Sequence, residues 1–159
     1  MRRLIVPVLA LALGTVAFVR PAVIRWPPWL SIESPVNPFG SDGHGAVLLV
    51  HATIRDGVPV VADVTASAEG IANGARRSMP VHLDATSRPG VFAVRKQWPA
   101  EGTWLLRIAF HSTTAIVVLD REGNVASVRV PTQLQGGSEI PRAVAAKEID
   151  STLAAAARR

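Results

Sequence analysis

The chain has 159 residues and contains no cysteine and no tyrosine, and it has only two methionines and four histidines. Without cysteine there is no disulfide framework, no thiolate nucleophile and no thiolate metal site. An exported protein can lack cysteine, so this absence does not fix a compartment. Also missing is a glycine-rich phosphate loop, and with it the nucleotide classes that use one. The formal net charge of +5 overstates the basicity. Arg2 and Arg3 lie in a leader whose removal leaves 15 basic against 12 acidic side chains. Arg76-Arg77, Arg95-Lys96 and Arg158-Arg159 are isolated pairs. A nucleic-acid surface needs a basic stripe interleaved with aromatics, so no nucleic-acid partner is expected.

What is present begins with Met1-Arg2-Arg3 and the apolar run Leu4 to Val19, the form of an export signal. Thr15-Val16-Ala17 offers small residues for cleavage, and the run is short for a bilayer span. The alternative is an uncleaved N-terminal anchor with Arg2 and Arg3 held inside. Both place the remainder outside the cytoplasm, in the periplasm or secreted. Residues 1–19 are therefore assigned to a signal peptide or anchor helix, and 20–29 to a proline-rich linker. Pro21, Pro27, Pro28, Pro35 and Pro38 exclude a helix between Arg20 and Gly45, although Leu30 to Ser34 can form a first strand. Trp26 and Trp29 are expected to fold back on the edge of the domain; a foot on a lipid surface is the other reading.

Residues 30–132 read as an all-β sandwich of about seven or eight strands at regular spacing. Leu48, Val50, Ala52 and Ile54 alternate with Leu49, His51, Thr53 and Arg55, and Asp56-Gly57 then turns the chain. Val60 to Ala68 and Ser78 to Ala85 are predicted strands, with Asn73-Gly74 as a hairpin turn between them. Pro89-Gly90 introduces a strand with Phe92, Val94 and Trp98 on one face. A tight turn at Pro99 to Gly102 joins it to a second, with Trp104, Leu106, Ile108 and Phe110 inward and Leu105, Arg107 and His111 on a wetter face. Thr114 to Leu119 and Val125 to Val130 pair across Asp120 to Asn124. Residues 133–159 follow as a polar linker, Gln133 to Ser138, and a short C-terminal helix. That helix is expected to carry Pro141 in its first turn, to bury Ala145, Ile149, Leu153 and Ala156, and to run about four turns to Arg158-Arg159.

Three phrases in this order carry a family resemblance: Ile54-Arg55-Asp56-Gly57-Val58-Pro59-Val60, Pro89-Gly90-Val91-Phe92, and Glu101-Gly102-Thr103-Trp104-Leu105-Leu106. Over Leu30 to Val130 the chain resembles the YtkA-like and FixH-like extracytoplasmic domains. The resemblance implies an immunoglobulin-like β-sandwich with an accessory role near membrane complexes, and copper handling in some members. The copper-handling relatives cluster methionine and histidine; here Met79 near His82 is the sole internal methionine.

Candidate chemistry is sparse. His51, His82 and His111 each lie opposite the most apolar face of their strand, which places them toward solvent. Together with Met79 they are the candidate ligands for Cu(I), Cu(II) or Zn, should their strands be neighbours. Ser41-Asp42-Gly43-His44 holds triad residue types, but one local run cannot orient a triad, and a turn is the simpler reading. Asp120 to Asn124 lacks the ligand series of a calcium loop and reads as a hairpin turn. The expectation is a non-catalytic module, not an enzyme, with no cofactor. Its partner would be another extracytoplasmic or membrane protein, with a metal-accessory role as the alternative.

Overall fold

The computed structural model of the chain describes residues 28–40, 43–54, 57–59 and 64–158. The expected signal or anchor, Trp26, Ser41 and Asp42 lie outside the described residues. Two antiparallel sheets pack face to face. The first has the order β1 (Trp29–Glu33), β2 (Leu48–Ile54), β7 (Val91–Val94), β6 (Asp84–Ala85), with β3 (Val58–Pro59) paired to the end of β2. In the second the order is β10 (Val125–Arg129), β9 (Thr113–Leu119), β8 (Thr103–Phe110), β4 (Val64–Ala72), β5 (Ala75–Val81). A separate hairpin, β11 (Thr132–Gln135) and β12 (Ser138–Pro141), leads to α1 (Ala146–Ala156). The domain is an all-β sandwich with one short C-terminal helix.

The period-two pattern builds the core. Leu30, Leu48, Val50, Ala52 and Val94 from the first sheet meet Ala68, Trp104, Leu106, Ile108, Phe110, Ala115, Val117 and Leu119 from the second. Phe92 and Trp98 join the same cluster, as the alternation requires. Trp104 sits directly across from Gly70. A Cβ on Gly70 would lie 2.4 Å from the indole, so glycine in mid-strand is what gives the ring its seat. The ring nitrogen is satisfied by the Glu101 carbonyl at 2.8 Å.

Several expectations are corrected. The strands on either side of Pro99 to Gly102 are not partners: β7 pairs with β2 and β6, whereas β8 pairs with β4 and β9. That turn carries the chain from one sheet to the other. The predicted strand Ser78 to Ala85 breaks for the same reason, with β5 in the second sheet and β6 in the first. The strand expected at Val60 to Ala68 is shifted: β4 runs from Val64 to Ala72, and its hairpin with β5 turns at Asn73-Gly74 as expected. The supposed linker Gln133 to Ser138 is mostly hairpin. Gly136 and Gly137 both have positive φ (60° and 82°), which lets two polar strands reverse tightly. Polar composition concealed this, since all four residues of β11 are exposed.

Pro141 accordingly ends β12, and the helix starts later and is shorter than expected, 11 residues or about three turns. A helix of that length is marginal in isolation and needs a docking surface. It finds one on the outer face of the second sheet, where Ile149 and Leu153 pack with Val144, Leu105 and Ile116. Leu105 is therefore fully buried, at 0% exposure, and the wet face expected for it does not exist. Among the described residues no helix is long and apolar enough to cross a membrane.

Candidate functional site

The first sheet keeps a polar outer face. By register, Ser31 lies beside His51, and His51 beside Val91; one step along, Glu33, Leu49, Ala93 and Asp84 form a row across all four strands. The alternation that sends Val50 and Leu48 inward sends His51 and Glu33 outward, where His51 Nε2 meets Glu33 Oε2 at 2.9 Å. Arg88 Nη2 approaches the same oxygen at 3.9 Å. At the other end of the row, Arg95 pairs with Asp84, and His82 Nε2 lies 3.4 Å from that carboxylate. The second guanidinium nitrogen of Arg95 donates to the His44 carbonyl at 3.3 Å. Gln97 holds His82 by its backbone, accepting from its N–H and donating to its carbonyl, both at 2.8 Å.

Glu33 and Asp84 stand three strand spacings apart, about 14 Å at the usual separation. They form two separate acid–base pairs, not a carboxylate dyad. The segment between β1 and β2 crosses the ground between them. Its Val36 and Ala46 pack on Leu49, Val91 and Ala93, a small apolar cluster on the otherwise polar face.

The four candidate metal ligands are dispersed. His51 is in the first sheet, while His111 occupies the turn between β8 and β9 in the second, its ring 4.7 Å from that of Phe110. Met79 pairs with Ala68 and packs against the core, so it faces the opposite way from His82. Among the described residues no group of three or more His, Asp or Glu side chains is placed to hold a metal ion. Asp120 accepts the Asn124 N–H at 2.7 Å. That backbone hydrogen bond holds its carboxyl below the ordinary aspartate value. Asp120 is thus a turn cap, as the hairpin reading of Asp120 to Asn124 expects.

Two charged networks around the helix were not read from the sequence. Glu69, on the outer face of β4, is only 9% exposed. Burial pushes its carboxyl up, but hydrogen bonds from Ser67, Arg76 and Ser78 outweigh it and leave the group below its ordinary value. Arg76 reaches on to Asp150 of the helix at 3.2 Å, so one guanidinium ties sheet to helix. At the helix start, Arg142 grips Glu148 with two hydrogen bonds of 2.8 Å. The Arg142 hydrogen bonds bring the Glu148 carboxyl down to about 2. A glutamate three residues after the helix-starting position was the available signal for this second network. Between the helix and strands β9 and β10 lies a shallow groove of about 360 Å³, where Arg129 donates to Thr152 Oγ1 at 3.4 Å.

Comparison with family models, with curated proteins and with solved structures finds no match to this chain.

Proposed function

We propose that the protein is an exported, non-catalytic immunoglobulin-like module, held or released at the outer side of a membrane, which presents the outer face of its first sheet to another extracytoplasmic or membrane protein. The observation that carries this reading is the difference in cover between the two faces of the sandwich. A helix seals the second sheet, whereas the first keeps Ser31, Glu33, His51, Asp84 and Arg88 at or near its surface, already oriented by mutual contacts. Charged groups held in place at a surface favour specificity and encounter rate in protein recognition. The three turn phrases shared with YtkA-like and FixH-like domains, and the signal-like start, support the compartment.

A metal-accessory role would draw on Met79, His82 and a second histidine, and the inward packing of Met79 speaks against that set. The test is twofold. Fractionation of the native host should find the chain outside the cytoplasm, and its recovery intact in the soluble cytoplasm would sink the proposal. A photo-crosslinker at Ser31 should then capture a discrete partner, and Glu33→Ala should abolish that adduct. Equal crosslinking from Arg77, on the far edge of the second sheet, would remove the first sheet's claim.

A further inference from the structure

The end of the first sheet where the chain enters carries apolar side chains that the fold does not use. Trp29 is 48% exposed, Ile54 45% and Val58 51%. The register brings them together: Trp29 pairs with Thr53, Thr53 also pairs with Pro59, and Ile54 pairs with Val58. Trp29 does not fold back onto the sandwich as expected. Its backbone position is fixed, because the Thr113 hydroxyl donates to the Pro28 carbonyl and β1 is paired along its length. The turn between β8 and β9, with His111, lies at this same end, since Phe110 pairs with Val64 and Thr113 with Phe110.

The apolar run Leu4 to Val19 connects to the fold at this tip. The nine residues from Arg20 to Pro28 span at most about 32 Å even when fully extended. Wherever that run sits, the tip cannot be far from it. The connecting stretch has two arginines, Arg20 and Arg25, and no acid, which matches an anionic surface. Tryptophan with aliphatic neighbours is the composition that settles at the headgroup level of a bilayer.

We propose that this tip docks on the surface of the bilayer that holds the N-terminal run, seating Trp29, Ile54 and Val58 among the headgroups. The outer face of the first sheet then stands off the membrane at a fixed tilt. This inference rests on the tethered form of the reading above.

Because the full chain has no cysteine, single cysteines report without background. An environment-sensitive fluorophore is placed in turn at Val58→Cys, Glu122→Cys and Ala12→Cys in the full chain, bound to vesicles of phosphatidylcholine and phosphatidylglycerol. Glu122 is exposed in the β9–β10 turn, at the opposite end of the sandwich. Labels at positions 58 and 12 should be quenched severalfold more by lipid-borne nitroxide than the label at 122, and shielded from aqueous iodide. Adding Trp29→Ser and Ile54→Ser should return position 58 to iodide.

A label at 58 as open to iodide as the one at 122, with 12 in lipid, overturns the docking and leaves the tether. Lipid quenching at 58 without it at 12 upholds the docking and refutes the tether. No lipid quenching at either position overturns both. Shielding at 58 that needs no vesicles and grows with protein concentration assigns the tip to a second copy and also overturns the docking.

Discussion

The two outer faces of the sandwich are finished in different ways. On the second sheet, an 11-residue helix buries Leu105 and Ile116 under Ile149 and Leu153, and two charged networks fasten it at Glu69–Arg76–Asp150 and Arg142–Glu148. On the first sheet, a loop lays Val36 and Ala46 over Leu49, Val91 and Ala93, and the rest of the face stays polar. The helix covers its sheet with long side chains and charge-assisted hydrogen bonds, the loop with two small apolar residues. The first face contributes to stability; the second is left available for recognition. A protein this size can use both faces differently because one core already holds the sheets together.

The largest test of that contrast is on a single strand. Trp104→Ala should cost about 3–5 kcal/mol, and Leu105→Ala on the opposite face should cost about 2–5 kcal/mol, because both leave cavities in closed surroundings. Denaturant unfolding measures both, and a Leu105→Ala cost under about 1 kcal/mol would mean the helix does not seal that face.

A second pair sets the covers against each other. Leu153→Ala should lose about 2–3 kcal/mol, and Leu49→Ala distinctly less, since a loop can settle into the space while a fastened helix cannot. Equal losses would show the loop to be as rigid as the helix. Next in size, Glu69→Ala leaves Ser67, Ser78 and Arg76 without their shared acceptor and should cost about 1–3 kcal/mol. The loss should shrink in an Arg76→Ala background, and strict additivity would dissolve the network.

The smallest effect is on pH dependence. Glu148 titrates near 2 in the fold, below its ordinary value of 4.5. Its contribution is therefore complete above pH 4.5 and is lost as pH falls toward 2. Glu148→Gln should flatten stability against pH in that acid window and leave the neutral range parallel to wild type. An unchanged acid limb would mean that the Arg142 pair has no bearing on folding.

The core was legible because it depends on alternation alone. Leu48, Val50 and Ala52, and Trp104, Leu106, Ile108 and Phe110, declare their face by spacing. Sheet membership was not, because a turn such as Pro99 to Gly102 looks the same whether it joins partners or crosses between sheets. The cover over Leu105 was hidden as well. A strand with both faces apolar at one position reads as wet or dry only when the element packing on it is known. Glu69 and Arg76 looked like ordinary surface charges on a hairpin; their burial depends on Asp150, 74 residues after Arg76. The histidines were correctly placed opposite the apolar faces of their strands, but spacing held no information on His51 choosing Glu33 or His82 choosing Asp84.

The pairing of β10 with β9 slips between Val125 and Ser127, so Ala126 has no partner in the register. That slip bends the free edge of the second sheet and breaks the even spacing of its outward N–H and C=O groups. The opposite edge, β5, carries Arg76, Arg77 and Pro80, two charges and a residue that cannot donate. A strand from another molecule thus finds no continuous ladder on either side. A chain that must fold after export, with no disulfide to close it, is thereby guarded against growing into a fibre with its own copies.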